Sequence, residues 1–95
     1  MFVAIVRFPK IKAEQDKEFK DWFKWSTQLL EKSPGFISRR LLVGKEQEYM
    51  AIVEHSGFDT FMAMRSTKEH KLAHEKALAL FNGVLKMEFF EAVSK

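Results

Sequence analysis

Cysteine is absent from the 95 residues, which removes disulfides, thiolate nucleophiles and thiolate-bound metals together and leaves His, Asp and Glu as the strong metal ligands. Proline and glycine are scarce, at two and four residues, and neither a linker, a repeat nor a low-complexity segment is visible. The chain reads as one domain, 1–95. No apolar run reaches the ~20 residues of a membrane span, and the opening stretch Met1 to Phe8 lacks the basic n-region and small-residue cleavage site of a secretory signal. A cytoplasmic protein with no membrane partner is the expectation. Charge of one sign is missing too: 16 Lys and Arg stand against 13 Asp and Glu, and the basic residues are scattered. Nucleic acid is therefore not an expected partner. Even Ser38-Arg39-Arg40 carries no interleaved aromatic platform and reads as an exposed or partner-facing strand patch. A phosphate-cradling glycine loop, a Ser-His-Asp set and a close carboxylate pair are all lacking, so phosphoryl transfer, acyl transfer and glycoside hydrolysis have no support.

What the chain does have is apolar surface, with 46% hydrophobic residues, ten Phe and two Trp. That is more than a small monomer hides easily, and a homodimer is the expected outlet. Phe2 to Phe8 reads as a strand closed by Pro9, with Phe2, Ala4, Val6 and Phe8 on one face and Val3, Ile5 and Arg7 on the other. From Ala13 to Lys32 the period becomes helical. Phe19, Trp22, Phe23, Leu29 and Leu30 form its stripe, Trp25 falls on the flank, and Ser33-Pro34-Gly35 ends it. Phe36 to Val43 and Tyr49 to His55 make a hairpin, the first strand grouping Ile37, Leu41 and Val43 on one face. In the second strand neither Met50 and Ile52 nor Tyr49, Ala51 and Val53 form a polar face, which predicts helices on one side of the sheet and a partner on the other, with Val53 among the inward-facing residues whose charge substitution would weaken assembly and folding together. A short helix through Phe61 and Met64, a second from Ser66 to Phe81 capped by Asn82 and Gly83, and a strand from Leu85 to Val93 complete the order. The expected fold class is α+β, ferredoxin-like βαββαβ with an antiparallel sheet.

The run Ser33-Pro34-Gly35-Phe36, the hairpin after it, and Gly57-Phe58-Asp59-Thr60-Phe61 through Leu72-Ala73-His74 resemble the antibiotic biosynthesis monooxygenase family over nearly the whole chain. The resemblance implies a dimeric α/β barrel in which two ferredoxin-like sheets face each other and each subunit keeps a pocket between sheet and helices. It also implies either heme degradation or cofactor-independent oxygenation of quinols or aromatic polyketides, and since many members have no demonstrated activity, a dimeric binding or stress-response module without turnover is a further alternative. In the heme-degrading branch a His on the helix before the last strand is the axial ligand, and His74 stands there. Where that branch has an Asn in the first strand and a Trp about ten residues before the ligand, this chain has Arg7 and Met64. The resemblance thus makes heme through His74 the implied cofactor, with none as the alternative. Arg7 becomes the candidate catalytic residue.

His70 and His74 lie four apart on one helix and suit a metal or a merely structural role, while Lys71 after the first His breaks the zincin pattern. Arg7 among apolar neighbours calls for an anion, which Glu54, Glu88 or Glu91 can supply across the sheet, or else a ligand. Phe23, Trp25 and Met64 are the candidate walls for a small planar aromatic ligand, with Trp22 and Tyr49 as further aromatic candidates.

Overall fold

The computed structural model describes residues 1–81 and 83–94. Extended, β-branched and aromatic segments form four strands: β1 (Phe2–Arg7), β2 (Phe36–Val43), β3 (Tyr49–His55) and β4 (Lys86–Glu91). They lie in the order β2-β3-β1-β4 with every neighbouring pair antiparallel. Three helices accompany them: α1 (Asp16–Leu30), preceded by one tight turn at Ala13–Gln15, then α2 (Phe58–Arg65) and α3 (Lys68–Ala77). The expected α+β ferredoxin-like plan is what the chain adopts, with the second helical segment divided in two.

The division is chemical. The Thr67 hydroxyl donates to the Met64 carbonyl at 2.7 Å, closing α2, and accepts from the His70 amide at 3.1 Å, opening α3. α3 also stops earlier than expected. After Ala77 the chain tightens, with Leu80 N bonded to Ala77 O at 2.9 Å, and this swings Leu80 and Phe81 back into the core. The cap expected at Asn82 lies outside the described residues.

Alternation decides what each strand offers. On β1, Phe2, Ala4 and Val6 face the helices, whereas Val3, Ile5 and Arg7 face the open side. On β3, Tyr49, Ala51, Val53 and His55 are buried beneath the helices. Val53 therefore belongs to the internal core, and the open face displays Met50, Ile52 and Glu54 instead. In β2 the simple alternation fails, because an irregularity between Phe36 and Ser38 leaves Ile37 without a partner in the register. Ile37 is half exposed and does not share the face of Leu41, while Phe36 and Arg39 pair with His55 and Val53 on the inner side. Arg39 shares the inner face with Leu41 and Val43 by alternation, where the basic run suggested an outward patch, and the bulge brings Phe36 to that face as well.

The core is in two parts. One gathers Phe19, Trp22, Phe23, Tyr49, Ala51 and Phe81 around the front of α1; the other gathers Phe2, Ala4, Leu30, Val53, Phe61 and Met64 beneath α2. Phe19 is fully buried and meets the rings of Phe8, Trp22, Tyr49 and Phe81 at centroid distances of 4.9–6.2 Å. The Trp22 indole donates to the Ala73 carbonyl at 2.9 Å and so ties α1 to α3.

Candidate functional site

Where the two halves of the core meet, a cavity of about 80 Å³ remains between sheet and helices. Its walls are apolar and aromatic, including Val6, Phe8, Trp22, Ala51, Phe61, Met64 and Met87, and its polar lining consists of Arg39, Arg65 and His70. All of these polar groups are cationic or imidazole, and no Asp or Glu lines the space.

Arg39 is held from α1. Its Nη1 donates to the Phe23 carbonyl (3.2 Å), Ser26 Oγ (2.7 Å) and Thr27 Oγ1 (2.7 Å), and its guanidinium carbon stands 4.1 Å from the Phe23 ring centroid. Ser26 is fully buried in the middle of the α1 stripe. A hydroxyl at that position makes sense because its Oγ accepts from Arg39 while donating to the Phe23 carbonyl at 3.0 Å. Burial lowers the Arg39 guanidinium to about 10, which leaves it cationic at neutral pH.

His70 enters the same cavity, and helical phase explains why it does so in place of His74. At ~100° per residue, buried Ala73 and Ala77 and half-buried His70 share one arc, and His74 lies ~40° past its edge. Burial, followed by the charge of neighbouring Arg65 and then of other groups nearby, Arg39 among them, pushes the His70 imidazole down to about 4. The folded chain therefore binds fewer protons here than the unfolded chain, whose imidazole titrates near its ordinary value. Stability should be fully present above about 6.5 and fall toward about pH 4, by up to ~1.4 kcal/mol per pH unit from this group. Denaturant melts across this range check it, and His70→Gln should flatten the slope. His55, lowered in the same direction by burial, leaves a smaller slope in that variant.

The sequence-derived candidates are spread over four places. Met64 is buried and lines the cavity, and Phe23 adjoins it beneath Arg39. Trp25 is half-buried in an outer groove between α1 and α3, with the Lys76 ammonium 5.4 Å from its ring. His74 is exposed and lines a shallow surface groove with Arg65, Lys68 and Lys71. Arg7 is exposed on the open sheet face, where its Nε donates to Glu88 Oε1 at 2.9 Å. The first-strand residue lining the inner cavity is Val6.

Heme held through His74 requires that imidazole to face a slot wide enough for a macrocycle. These residues do not fit it so: His74 faces an open surface groove lined by Arg65, Ser66, Thr67, Lys68, His70 and Lys71, with no apolar wall to enclose a macrocycle, and it does not reach the inner cavity. Among the described residues no group of three or more His, Asp or Glu is placed to hold a metal ion.

No family model matches the chain, and no curated protein matches it in sequence. Solved structures do. A variant of SnoaB, a cofactor-independent oxygenase from Streptomyces nogalater, superposes with a TM-score of 0.84 at 20% identity, covering 99% of this chain and 94% of that one. A proposed antibiotic biosynthesis monooxygenase from Nitrosomonas europaea gives 0.84 at 14% identity, over 99% and 100% of the two chains. Another from Caulobacter crescentus gives 0.84 at 20% over 98% and 91%. At such identities the likeness speaks for the backbone plan, and the chain carries the fold of these antibiotic biosynthesis monooxygenase structures.

Proposed function

We propose that this protein is a cofactor-independent monooxygenase acting on a small electron-rich aromatic, a phenol or quinol, in the cavity between sheet and helices, and that it works as a homodimer joined through the open sheet face. The observation that carries the reading is the cavity itself: a space walled by rings and aliphatic side chains at the seam of the core, in a fold shared with SnoaB. An apolar wall suits both a flat ring and dioxygen and keeps water from the reacting carbon.

The reaction closes without a reductant. A phenol and O₂ give a quinone and water: one oxygen atom enters at the ring carbon, the other leaves as water with the ring and hydroxyl hydrogens, and the ring supplies all four electrons. The protein's part is to bind and orient, and neutral His70 is the lining group that can accept a hydrogen bond from the substrate hydroxyl. About 80 Å³ is smaller than the ~150 Å³ cavity that holds benzene, so a single-ring substrate enters with outward movement of the lining. Oxygen uptake with single-ring hydroquinones and phenols, without added metal, flavin or reductant, should show one O₂ consumed per quinone formed. Absence of uptake across such a panel overturns the reading.

The heme alternative has its own test. Given the outward placement of His74, hemin titration should give the same Soret response in the native chain and in His74→Ala. A saturable band that disappears only in the variant would restore His74 as an axial ligand.

A further inference from the structure

Arg39 is a mostly buried cation without an anion. The ion pairs among the described residues involve Met1, Arg7, Lys17 and Lys20, and no carboxylate lines the cavity that Arg39 reaches. Its three hydrogen bonds all use Nη1 and all end on neutral oxygens of α1, leaving Nε and Nη2 outside them. A purely structural tie between β2 and α1 needs no charge there, since a neutral donor would serve the same three acceptors at lower desolvation cost. The guanidinium is also held rigid, stacked on Phe23 at 4.1 Å, with Trp22 at 5.7 Å. A pre-oriented planar fork with one edge fixed and the other uncommitted is the arrangement that recognises an anionic oxygen.

We propose that Arg39 is the substrate anchor of this cavity, and that the site takes an aromatic bearing an anionic oxygen, either a ring carboxylate or an ionised phenol, docked on the guanidinium edge that Ser26 and Thr27 leave free. The inference rests on the cavity being the substrate site. It adds the charge of the substrate and the residue that selects it. His70, neutral beside the same space, leaves the anion's charge to Arg39 and Arg65.

Calorimetric titration of the native chain with para-hydroxybenzoate, its methyl ester, phenol and para-nitrophenol separates the cases. At least one anion, the carboxylate or the nitrophenolate, should bind roughly tenfold or more tighter than its neutral counterpart, and whichever does so identifies the anionic oxygen. Nitrophenol binding by the native chain should follow the ionised fraction as pH crosses the ligand's own pKa, a readout that needs no variant. Arg39→Gln, which keeps a donor toward Ser26, should erase the preference, and Arg39→Lys should keep part of it. Equal binding of anions and neutral analogues, or a preference that survives Arg39→Gln, overturns the proposal. Arg39-dependent anion binding without oxygen uptake sinks the oxygenase reading and leaves the anchor standing; uptake with neutral phenols and no anion preference does the reverse.

Discussion

On the proposed homodimer the native chain is expected to sediment as two 11.2 kDa subunits and an Ile52→Glu chain as one, while Val53→Glu is expected to lose the fold itself. The two positions are adjacent and point opposite ways. Ile52 sits at the middle of the open face, paired with Ile5 on β1 and Arg40 on β2, amid Val3, Met50, Leu42 and Phe90. Among the described residues nothing covers that face, and Leu42 and Phe90 are 38% and 48% exposed. An apolar patch of this kind on a small domain marks an interface. A carboxylate there has Arg40 across the strands, yet carrying it into an apolar seam still costs about 1–3 kcal/mol, on the order of tenfold or more in dissociation constant. Val53, by contrast, is 5% exposed under α2 among Phe2, Ala4 and Phe61, so the same charge strikes the core. Sedimentation and circular dichroism on both variants check the pair. A folded Ile52→Glu that remains dimeric would move the interface elsewhere.

The bounds of β2 and β3 were legible to the residue, because Ser33-Pro34-Gly35 and the turn around Gly44 punctuate them unmistakably. Orientation was harder, and that is where the site was hidden. Both faces of β1 and β3 are apolar, so pattern alone does not say which meets the helices; Arg7 and Val6 exchange roles on that choice. In β2 the alternation that puts Leu41 inside puts Arg39 there too, but the bulge at Ile37 breaks the pattern and the basic run Arg39-Arg40 reads as surface. Along α3 the spacing of His70 and His74 was plain, but which of them enters depends on the position of Ala73 and Ala77, whose small side chains carry little pattern. The signal that could have found the site was Ser26. It sits three positions after Phe23 and four before Leu30, in the centre of the buried stripe, and a buried hydroxyl implies a polar partner reaching in.

The motif Ser33-Pro34-Gly35-Phe36 carries a second expectation: Gly35→Ala should cost about 3 kcal/mol or more and lower the melting temperature by roughly 12–24 °C in a domain of this size. Two independent effects add. Gly35 adopts φ +85°, a conformation that costs a residue with a Cβ ~1–2 kcal/mol. A Cβ built there would also stand 2.6 Å from Thr60 Cβ and 2.7 Å from both Ser56 Oγ and Thr60 Oγ1. Thr60 cannot move aside freely. Its hydroxyl donates to the Gly57 carbonyl at 2.9 Å, accepts from the Gly57 amide at 3.2 Å, and lies 3.1 Å from Nδ1 of the fully buried His55. The Ser56 amide in turn donates to the Gly35 carbonyl at 2.8 Å. Displacing Thr60 therefore loosens the start of α2 and strips the imidazole of its contact with that hydroxyl, while His55 Nε2 has no partner among the described residues. Thermal melts of Gly35→Ala, Thr60→Gly and the double variant divide the cost. In the Thr60→Gly background the Thr60 share of the clash should vanish, leaving the ~1–2 kcal/mol of backbone strain and the contact with the Ser56 hydroxyl, which rotation of that side chain relieves. A Gly35→Ala loss below about 1 kcal/mol would mean that neither the positive φ nor the contact with α2 holds this turn in place.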